Sequence, residues 1–108
     1  MFEIRNCYYK PELVEAYKQW ARARTLLCLK RELDLICFWT NLPEAAQITG
    51  KAMDDLGPVN STGNLQWPDM ATHDDTMTKV FATPEWNETF KPVPGGISSY
   101  LRMESELQ

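Results

Sequence analysis

The feature that most constrains the fold is the run from Leu33 to Thr40, which has the sequence Leu-Asp-Leu-Ile-Cys-Phe-Trp-Thr. It is rich in residues that favour β-strands. Its side chains are largely apolar on both of the alternating faces that an extended chain presents. A strand that is apolar on both faces needs cover on both sides. The sequence therefore predicts a strand within a sheet that is covered on each face.

A first strand is predicted in the stretch from Phe2 to Pro11, where a mostly apolar face alternates with a face that carries charge. Glu3 and Arg5 share the charged face and lie about 6.5 to 7 Å apart along the strand. Their long side chains are therefore near enough to share a hydrogen-bond network. The simplest interpretation is a solvated outer face, as on many edge strands.

A long helix is predicted between these two strands. Apolar residues recur at helical spacing from Leu13 to Cys28, behind Pro11, which suits the first turn of a helix. This pattern predicts an amphipathic helix over residues 11–31. The periodicity blurs near Arg24, where we expect the helix to bend or restart.

An extra short helix is predicted over 43–56, where apolar residues lie near helical spacing behind Pro43. Gly50 weakens this helix by ~1 kcal/mol relative to Ala. The remaining predicted elements are a third strand over 64–67, a helix that begins at Thr72 with Asp75 as its capping partner, a short helical turn from Thr83, and a last strand over 97–103.

The order of these elements is βα, then ββ with an inserted helix, then αβ. This is the order of the ferredoxin-like split βαβ, an α+β fold in which a four-stranded antiparallel sheet carries its principal helices on one face. A chain of 108 residues suits one domain, residues 1–108, with one modest core. The other sheet face is uncovered in a monomer. We therefore expect a second copy to cover it, so that two sheets face one another in a homodimer.

Composition argues against several classes of partner. The net charge of −4 gives no reason to expect a nucleic-acid partner. No stretch reaches the roughly 20 apolar residues that a membrane span needs, and no apolar run follows a basic start. We therefore expect a cytoplasmic protein without a membrane partner. Cys7, Cys28 and Cys37 lack C-x-x-C spacing, and we expect them to be buried free thiols.

The one histidine, His73, precedes Asp74 and Asp75. An imidazole beside carboxylates is one arrangement of a general base, but carboxylates also suit the start of a helix electrostatically, and we favour that structural interpretation. One histidine and scattered cysteines make no metal-ligand set. Pro94-Gly95-Gly96 lacks the Lys and the strand-to-helix context of a phosphate loop. We expect neither a metal nor a cofactor.

Three segments resemble the NIPSNAP family. Phe2-Glu3-Ile4-Arg5, followed by Lys10-Pro11, is similar to the aromatic-Glu-aliphatic-Arg strand and Lys-Pro turn with which NIPSNAP-type domains begin. Leu56-Gly57-Pro58-Val59-Asn60 resembles the segment that leads into their third strand. Thr83-Pro84-Glu85-Trp86 resembles their Asp-Pro-Glu-Trp turn after the second helix. The three matches occur in the family's order across nearly the whole chain.

The chain also departs from the family pattern. Glu12 stands where the family often has Gly, Cys7 where Tyr is usual, and Asn64 where the family often has His. Residues 41–54 have no counterpart in the usual short connection between strands two and three. This insertion is either a lid over a cavity or a decorated hairpin, and we favour the lid because loops over ligand sites carry function.

The resemblance implies a ferredoxin-like fold that pairs into a dimeric α/β barrel, whose inner face is the candidate site. Polar groups that converge in an aromatic-rich cavity are the default hypothesis for a ligand site. The alternative is that Glu3, Arg5 and Arg102 form a buried ion network without a ligand. By alternation, the inner face collects Glu3, Arg5, Cys7, Asn64, Gln66, Tyr100 and Arg102, together with Phe38 or Trp39 according to register, of which Trp39 is included in the ligand site.

Two function classes remain open. The resemblance implies a homodimeric small-molecule-binding protein of uncharacterised activity, whose ligand is aromatic or apolar with an acidic group. The second class is a cofactor-independent enzyme, because related dimeric α/β barrels include monooxygenases, isomerases and cyclases that act on aromatic or phenolic substrates. An open path from Tyr100 or Glu3 to a closed aromatic pocket would favour the enzyme.

Overall fold

The chain is described by a computed structural model over residues 1–40 and 48–108. Its four strands form one antiparallel sheet in the order β2-β3-β1-β4, with the helices against one face. This confirms the predicted α+β, ferredoxin-like arrangement. The main elements are β1 (Phe2–Tyr9), α1 (Val14–Trp20), α2 (Leu26–Glu32), β2 (Leu35–Thr40), β3 (Ser61–Gln66), α3 (Met70–Phe81), α4 (Pro84–Phe90) and β4 (Tyr100–Leu107).

The helical region between β1 and β2 changes its pitch twice. It opens with a 3₁₀ turn at Pro11–Leu13, and a π-helical segment at Ala21–Thr25 joins α1 to α2. At the end of that segment the Leu26 N–H donates to the carbonyl of Ala21, five residues back. A π-bulge absorbs one extra residue. A π-helical segment thus lies where the periodicity blurs near Arg24, and the helix continues through it without the predicted restart.

The core between the sheet and the helices consists of two groups of buried side chains. One lies beneath α1, and the other lies near the start of β1 beneath α3. The space where the two groups meet is incompletely filled, which leaves room for the cavity described below. The first group contains Tyr9, Val14, Tyr17, Trp20, Ala21 and Val93, and the second contains Leu33, Leu65, Trp67, Met77 and Val80.

The last two strands begin at other residues than the sequence predicts. β3 begins at Ser61, three residues before the predicted start at Asn64, because its turn-rich opening pairs with both β1 and β2. Neighbouring strands thus override the local turn preference. β4 begins only at Tyr100, because Gly96 adopts a positive φ of 82° and opens a 3₁₀ turn at Ile97–Ser99.

The predicted inserted helix is not found in the part of it that the structure describes. Residues 43–47 of that helix lie outside the described residues, and 48–56 are irregular. Two features explain why residues 48–56 are not helical. Gly50 adopts a positive φ of 88°, which ends a right-handed helix. Asp54 is bonded to Arg102 on β4, which holds the chain against the sheet.

The cap of α3 also differs from the prediction. Asp69, and not Thr72, is the N-cap, and its carboxylate accepts the Thr72 N–H at 2.7 Å. Asp75 pairs instead with Lys79, one turn later. The start of α4 is confirmed, because Thr83 Oγ1 accepts the N–H of Trp86. Within the described residues, every helix is too short or too polar to cross a membrane.

Candidate functional site

A cavity of about 950 Å³ lies between the helix-covered face of the sheet and the helices above it. This volume is within the usual range for small-molecule sites, which are mostly apolar with a few placed polar groups. The aromatic side chains of its wall include Phe38, Phe81, Trp86 and Phe90 together with the phenols Tyr17 and Tyr100, and its other polar side chains include Arg5, Thr25, Ser61 and Ser105.

A buried carboxylate lies behind this wall. Glu3 is only 1% exposed, yet it is surrounded by donors. Its Oε2 accepts from Arg5 Nε at 2.8 Å and from Ser105 Oγ at 2.7 Å, and its Oε1 accepts from Trp67 Nε1 at 3.0 Å. Burial acts to raise the pKa of Glu3, but the bonds from Ser105, Arg5 and Trp67 outweigh it and hold the pKa below its usual value. Glu3 is therefore an ionised group that three side chains of the protein already engage.

This carboxylate orients the guanidinium of Arg5. The Arg5 side chain is 33% exposed and lines the cavity, while its Nε donates to Glu3 and to Ser105. Among the described residues, neither terminal nitrogen of Arg5 has a hydrogen-bond acceptor in the protein. A planar guanidinium with free terminal nitrogens matches the two oxygens of a carboxylate. Arg5 is thus a cation that a buried carboxylate orients, in a mostly apolar wall that also includes the charged residues Lys91, Glu88 and Glu104.

Tyrosines form the other polar part of the cavity. The Tyr17 hydroxyl lies 3.2 Å from Ser61 Oγ, and the ring of Tyr100 stands edge-on to Tyr17 at 5.9 Å between centroids. Burial raises the pKa of both phenols, and Tyr17 raises that of Tyr100 further. Burial likewise raises the pKa of the Cys7 thiol. These groups stay protonated at neutral pH, so they can donate hydrogen bonds but do not act as bases.

The structure divides the predicted site residues between the two faces of the sheet. Residues that pair directly across strands point to the same face. On β3, Leu65 is opposite Glu3, whereas Asn64 is opposite Ile4. The expectation of one shared face is therefore wrong: Glu3, Arg5, Cys7 and Tyr100 lie on the cavity side, and Asn64, Gln66, Arg102 and Trp39 lie on the open side. The expectation that the first group faces the interior of a barrel between two sheets is also wrong, because the cavity side is the face that the helices cover.

Two β-bulges explain the remaining misplacements. The pairing of β1 with β4 shifts between Tyr8 and Tyr9, so that Arg102 is opposite Tyr8 while Tyr100 is opposite Tyr9. A second shift in β2 directs Phe38 to the cavity, opposite Gly63. Trp39 then points to the open face and is 45% exposed. A bulge breaks strict alternation without altering the sequence pattern on which the prediction depends.

Comparisons with solved structures identify this arrangement of strands and helices. A NIPSNAP family protein of unknown function from Agrobacterium tumefaciens superposes with a TM-score of 0.75 at 15% identity, over 99% of this chain and 84% of that chain. An uncharacterised NIPSNAP-like domain protein from Burkholderia xenovorans gives 0.71 at 18% identity, over 97% and 79%. The chain has the NIPSNAP fold. Another NIPSNAP family protein from Agrobacterium tumefaciens gives 0.73 at 12% identity, over 97% and 80%.

At these identities the likeness shows the fold alone. No protein-family model matches the chain, and no curated protein matches it either. The matched NIPSNAP structures with TM-scores of 0.75 and 0.71 are described as being of unknown function and as uncharacterised, respectively. Roles for individual residues must therefore come from the geometry of this chain.

On the open face of the NIPSNAP sheet, Arg102 is fixed within the protein. Its Nη1 bonds both oxygens of Asp54 at 2.7 and 2.8 Å, and its Nη2 bonds the Gly57 carbonyl at 2.9 Å. Its Nε lies 2.9 Å from Glu104. The hydrogen bonds from Arg102 hold the pKa of Asp54 below its usual value. Through Nη1 and Nη2, Arg102 thus holds the 54–57 segment against β4.

The predicted lid receives no support from its described part. Residues 41–47 lie outside the described residues, and none of residues 48–60 lines the cavity. The bond from Asp54 to Arg102 places the end of this segment on the opposite face of the sheet. In the described residues, the roof of the cavity comes instead from α4, through Trp86 and Phe90.

Sequence reasoning missed three partners of Glu3. Trp67 and Ser105 donate to its carboxylate, and the Nε2 of His73 lies 3.3 Å from its Oε1. All three are distant from Glu3 in sequence, so only the folded register brings them together. His73 carried a signal as the single histidine, but its neighbours Asp74 and Asp75 already explained it.

Proposed function

We propose that this protein binds a small molecule in the cavity between sheet and helices, and that the ligand is aromatic or apolar with an acidic group. One observation carries the proposal. The guanidinium of Arg5, fixed through Nε by buried Glu3, lines an otherwise mostly apolar cavity of about 950 Å³. A fixed cation in apolar surroundings favours an anion that brings its own apolar body.

The aromatic wall supports the apolar part of this ligand. Trp86 and Phe90 stack at 4.4 Å between centroids, and Phe38 faces them from β2. Aromatic rings offer a large apolar area and favour other rings in offset or edge-to-face contact. A ring system carrying one carboxylate therefore fits both the wall and Arg5.

The geometry favours binding over catalysis. Glu3, from which an open path to the pocket would favour an enzyme, is buried and bonded to Arg5, Ser105 and Trp67. Tyr17 and Tyr100 have raised pKa values and remain protonated. A base must be within reach of the proton that it abstracts, which Glu3 behind its donors is not.

We also propose that two copies of the chain pair through their open sheet faces. Phe2, Ile36 and Trp39 are exposed by 46%, 47% and 45%, and they extend across the open face from β1 to the β2 edge. A second copy is the occupant that we infer, because the resemblance to NIPSNAP-type domains implies such pairing. Monomeric proteins rarely expose contiguous apolar area of this kind.

The ligand proposal is tested with a naphthalene carboxylate and its uncharged carboxamide, by isothermal titration calorimetry. Replacing Arg5→Gln should weaken carboxylate binding about ten- to a hundredfold, because a hydrogen-bonded ion pair is lost. Carboxamide binding should stay nearly unchanged. Arg24→Gln is the matched control, since Arg24 is an exposed arginine that does not line the cavity.

Gly63 offers a steric test of the same site. It lies opposite Arg5 and lines the cavity, and a Cβ built on it would be 3.7 Å from Phe38, an ordinary contact. Gly63→Ala should therefore fold normally, whereas Gly63→Leu should fill the space beside Arg5 and weaken both probes. Carboxylate affinity that is equal in the wild type, Arg5→Gln and Gly63→Leu would exclude this site.

A further inference from the structure

His73 lies between two carboxylates. Its Nδ1 is 2.9 Å from Oδ1 of Asp74, and its Nε2 is 3.3 Å from Oε1 of Glu3. Its ring stands edge-on to Trp67 at 4.9 Å. The side chain is 14% exposed, so the imidazole is largely buried but still reaches solvent. No other histidine occurs in the chain.

The neutral imidazole cannot satisfy both carboxylates. It carries one N–H, and a carboxylate accepts hydrogen bonds but does not donate them. With the proton on Nδ1, towards Asp74, the Nε2 lone pair faces Glu3. Among the described residues Nε2 has no hydrogen-bond partner of acceptable geometry. The doubly protonated imidazolium would give each carboxylate a donor.

The charges around this group are nearly balanced before a ligand arrives. β1 contributes Glu3 and Arg5, and α3 contributes Asp74. The ammonium group of Met1 bonds the carbonyl of Trp67 at 2.9 Å, which places one more cation beside the cluster. Glu3 is neutralised chiefly by Arg5, the same group to which we assign the ligand.

A bound carboxylate would change that balance. It would share one guanidinium with Glu3, and two carboxylates on one cation leave an uncompensated negative charge in a largely buried site. His73 can supply a positive charge beside Glu3, because its Nε2 already lies 3.3 Å from the Glu3 oxygen. A proton on Nε2 would lie between the two atoms and form an ion pair.

We propose that the binding of a carboxylate at Arg5 is coupled to the uptake of one proton by His73, whose imidazolium then serves as a second counter-charge for Glu3. The proton comes from solvent or buffer and binds Nε2, so the site gains one anion and one proton and its net charge is unchanged. This inference rests on the proposed function. It adds that the ligand must be an anion and that its affinity depends on pH.

The first experiment needs no ligand. The single histidine gives one set of imidazole signals, whose titration NMR follows directly. Arg5→Gln removes the cation that Glu3 shares, as a ligand would, and should move the midpoint of the His73 titration to higher pH. Arg24→Gln removes an exposed arginine and should leave the midpoint unchanged. An unchanged midpoint in folded Arg5→Gln would overturn the inference.

The second experiment needs no variant at Arg5, so it remains decisive if Arg5→Gln fails to fold. The naphthalene carboxylate is titrated calorimetrically into wild-type protein in two buffers of different ionisation enthalpy, above the midpoint of the His73 titration. About one proton should be taken up per carboxylate bound. Uptake should be absent with the carboxamide and with His73→Gln.

The outcomes separate this inference from the proposed function. Carboxylate affinity that depends on Arg5 but brings no proton uptake, or uptake that persists in His73→Gln, would overturn the coupling and leave the ligand site intact. Carboxylate affinity that does not depend on Arg5 would overturn the ligand site, and the coupling with it. Arg5-dependent affinity that falls as pH rises, with a flat profile in His73→Gln, supports both.

Discussion

The two faces of the sheet each carry an arginine paired with a carboxylate, and the two pairs differ in almost every other respect. On the cavity side, Arg5 bonds buried Glu3 through Nε alone and keeps its terminal nitrogens. On the open side, Arg102 uses Nη1 and Nη2 on Asp54 and Gly57. Arg5 is held in place with its terminal nitrogens available to a ligand, whereas the terminal nitrogens of Arg102 are bonded within the protein.

This difference shows that membership of an ion pair does not by itself define the role of an arginine. What decides its role is which nitrogens the protein uses and what the others face. The carboxylate of Glu3 accepts from three side chains, so it orients Arg5 without exhausting it. Asp54 is partly exposed and belongs to an irregular segment, which Arg102 holds against the strand.

The largest effect should come from the apolar part of the open face. If two sheets pair there, light scattering should give twice the chain mass of 12.5 kDa at micromolar concentration. Ile36→Asp should then yield a folded monomer, because two carboxylates per dimer would be buried without partners at several kcal/mol each. Leu27→Asp is the control, since Leu27 is 62% exposed on α2, away from the sheet. A wild-type mass of 12.5 kDa would end the dimer proposal.

The next effect concerns the buried carboxylate of the cavity side. Glu3→Ala should lower the free energy of unfolding by about 3 kcal/mol, because Arg5, Trp67 and Ser105 lose their common acceptor; the partial exposure of Arg5 keeps the loss at the lower end of the range. Urea denaturation measures it. Arg5→Gln combined with Glu3→Gln should recover much of the stability that either single variant loses, since the double variant leaves no unpaired charge whereas each single variant leaves one. Additive losses in that cycle would show that the two side chains are not coupled.

The sequence predicted how Glu3 and Arg5 lie relative to each other within one strand, but not which residues of other strands share their face. Alternation within one strand placed Glu3 beside Arg5, and their contact at 2.8 Å confirms it. The blurred periodicity near Arg24 coincides with the π-helical segment, although the predicted restart of the helix does not occur. These are local properties, fixed by the geometry of one strand or one helix, and the sequence contains them directly.

The alternation within single strands could not predict how the strands align with one another in the sheet. Whether Asn64 shares a face with Glu3 depends on a register that the whole sheet sets, and it does not. Tyr100 and Arg102 alternate correctly along the chain, yet a bulge places them on opposite faces. The pairing of His73 with Glu3 depends on how α3 packs over β1. Each of these is decided by tertiary packing, which one strand's alternation cannot report.

A third prediction uses acid. The pKa of Glu3 is lowered in the folded state, so this group contributes stability that is complete above its unfolded value of 4.5 and is lost as pH falls through the folded value. Unfolding free energy should therefore drop below pH 4.5, and the drop should be smaller in Glu3→Gln. Added salt should change this part of the profile little, because a buried pair is screened less than an exposed one. If the unfolding free energies of wild type and Glu3→Gln fell in parallel as the pH was lowered, Glu3 would not be the source of the acid-dependent loss of stability.

The smallest effect should follow from Arg102→Gln, and it tests the contrast most directly. The loss of the bonds to Asp54 and Gly57 should release the 54–57 segment, so that hydrogen exchange at the Leu56 amide, which Asp54 Oδ1 accepts at 2.9 Å, becomes faster. The free energy of unfolding should fall less in Arg102→Gln than in Arg5→Gln. Because Asp54 is a third exposed, added salt should reduce the difference in unfolding free energy between Arg102→Gln and wild type.

Carboxylate affinity in Arg102→Gln should stay at the wild-type value, since Arg102 lies on the face opposite the cavity. Combining Arg102→Gln with Arg5→Gln should give additive losses of stability, because sites without shared partners do not couple. If Arg102→Gln weakened carboxylate binding as much as Arg5→Gln does, the ligand would lie on the open face or be reached through it. The assignment of Arg5 to ligand binding and of Arg102 to a purely structural role would then be wrong.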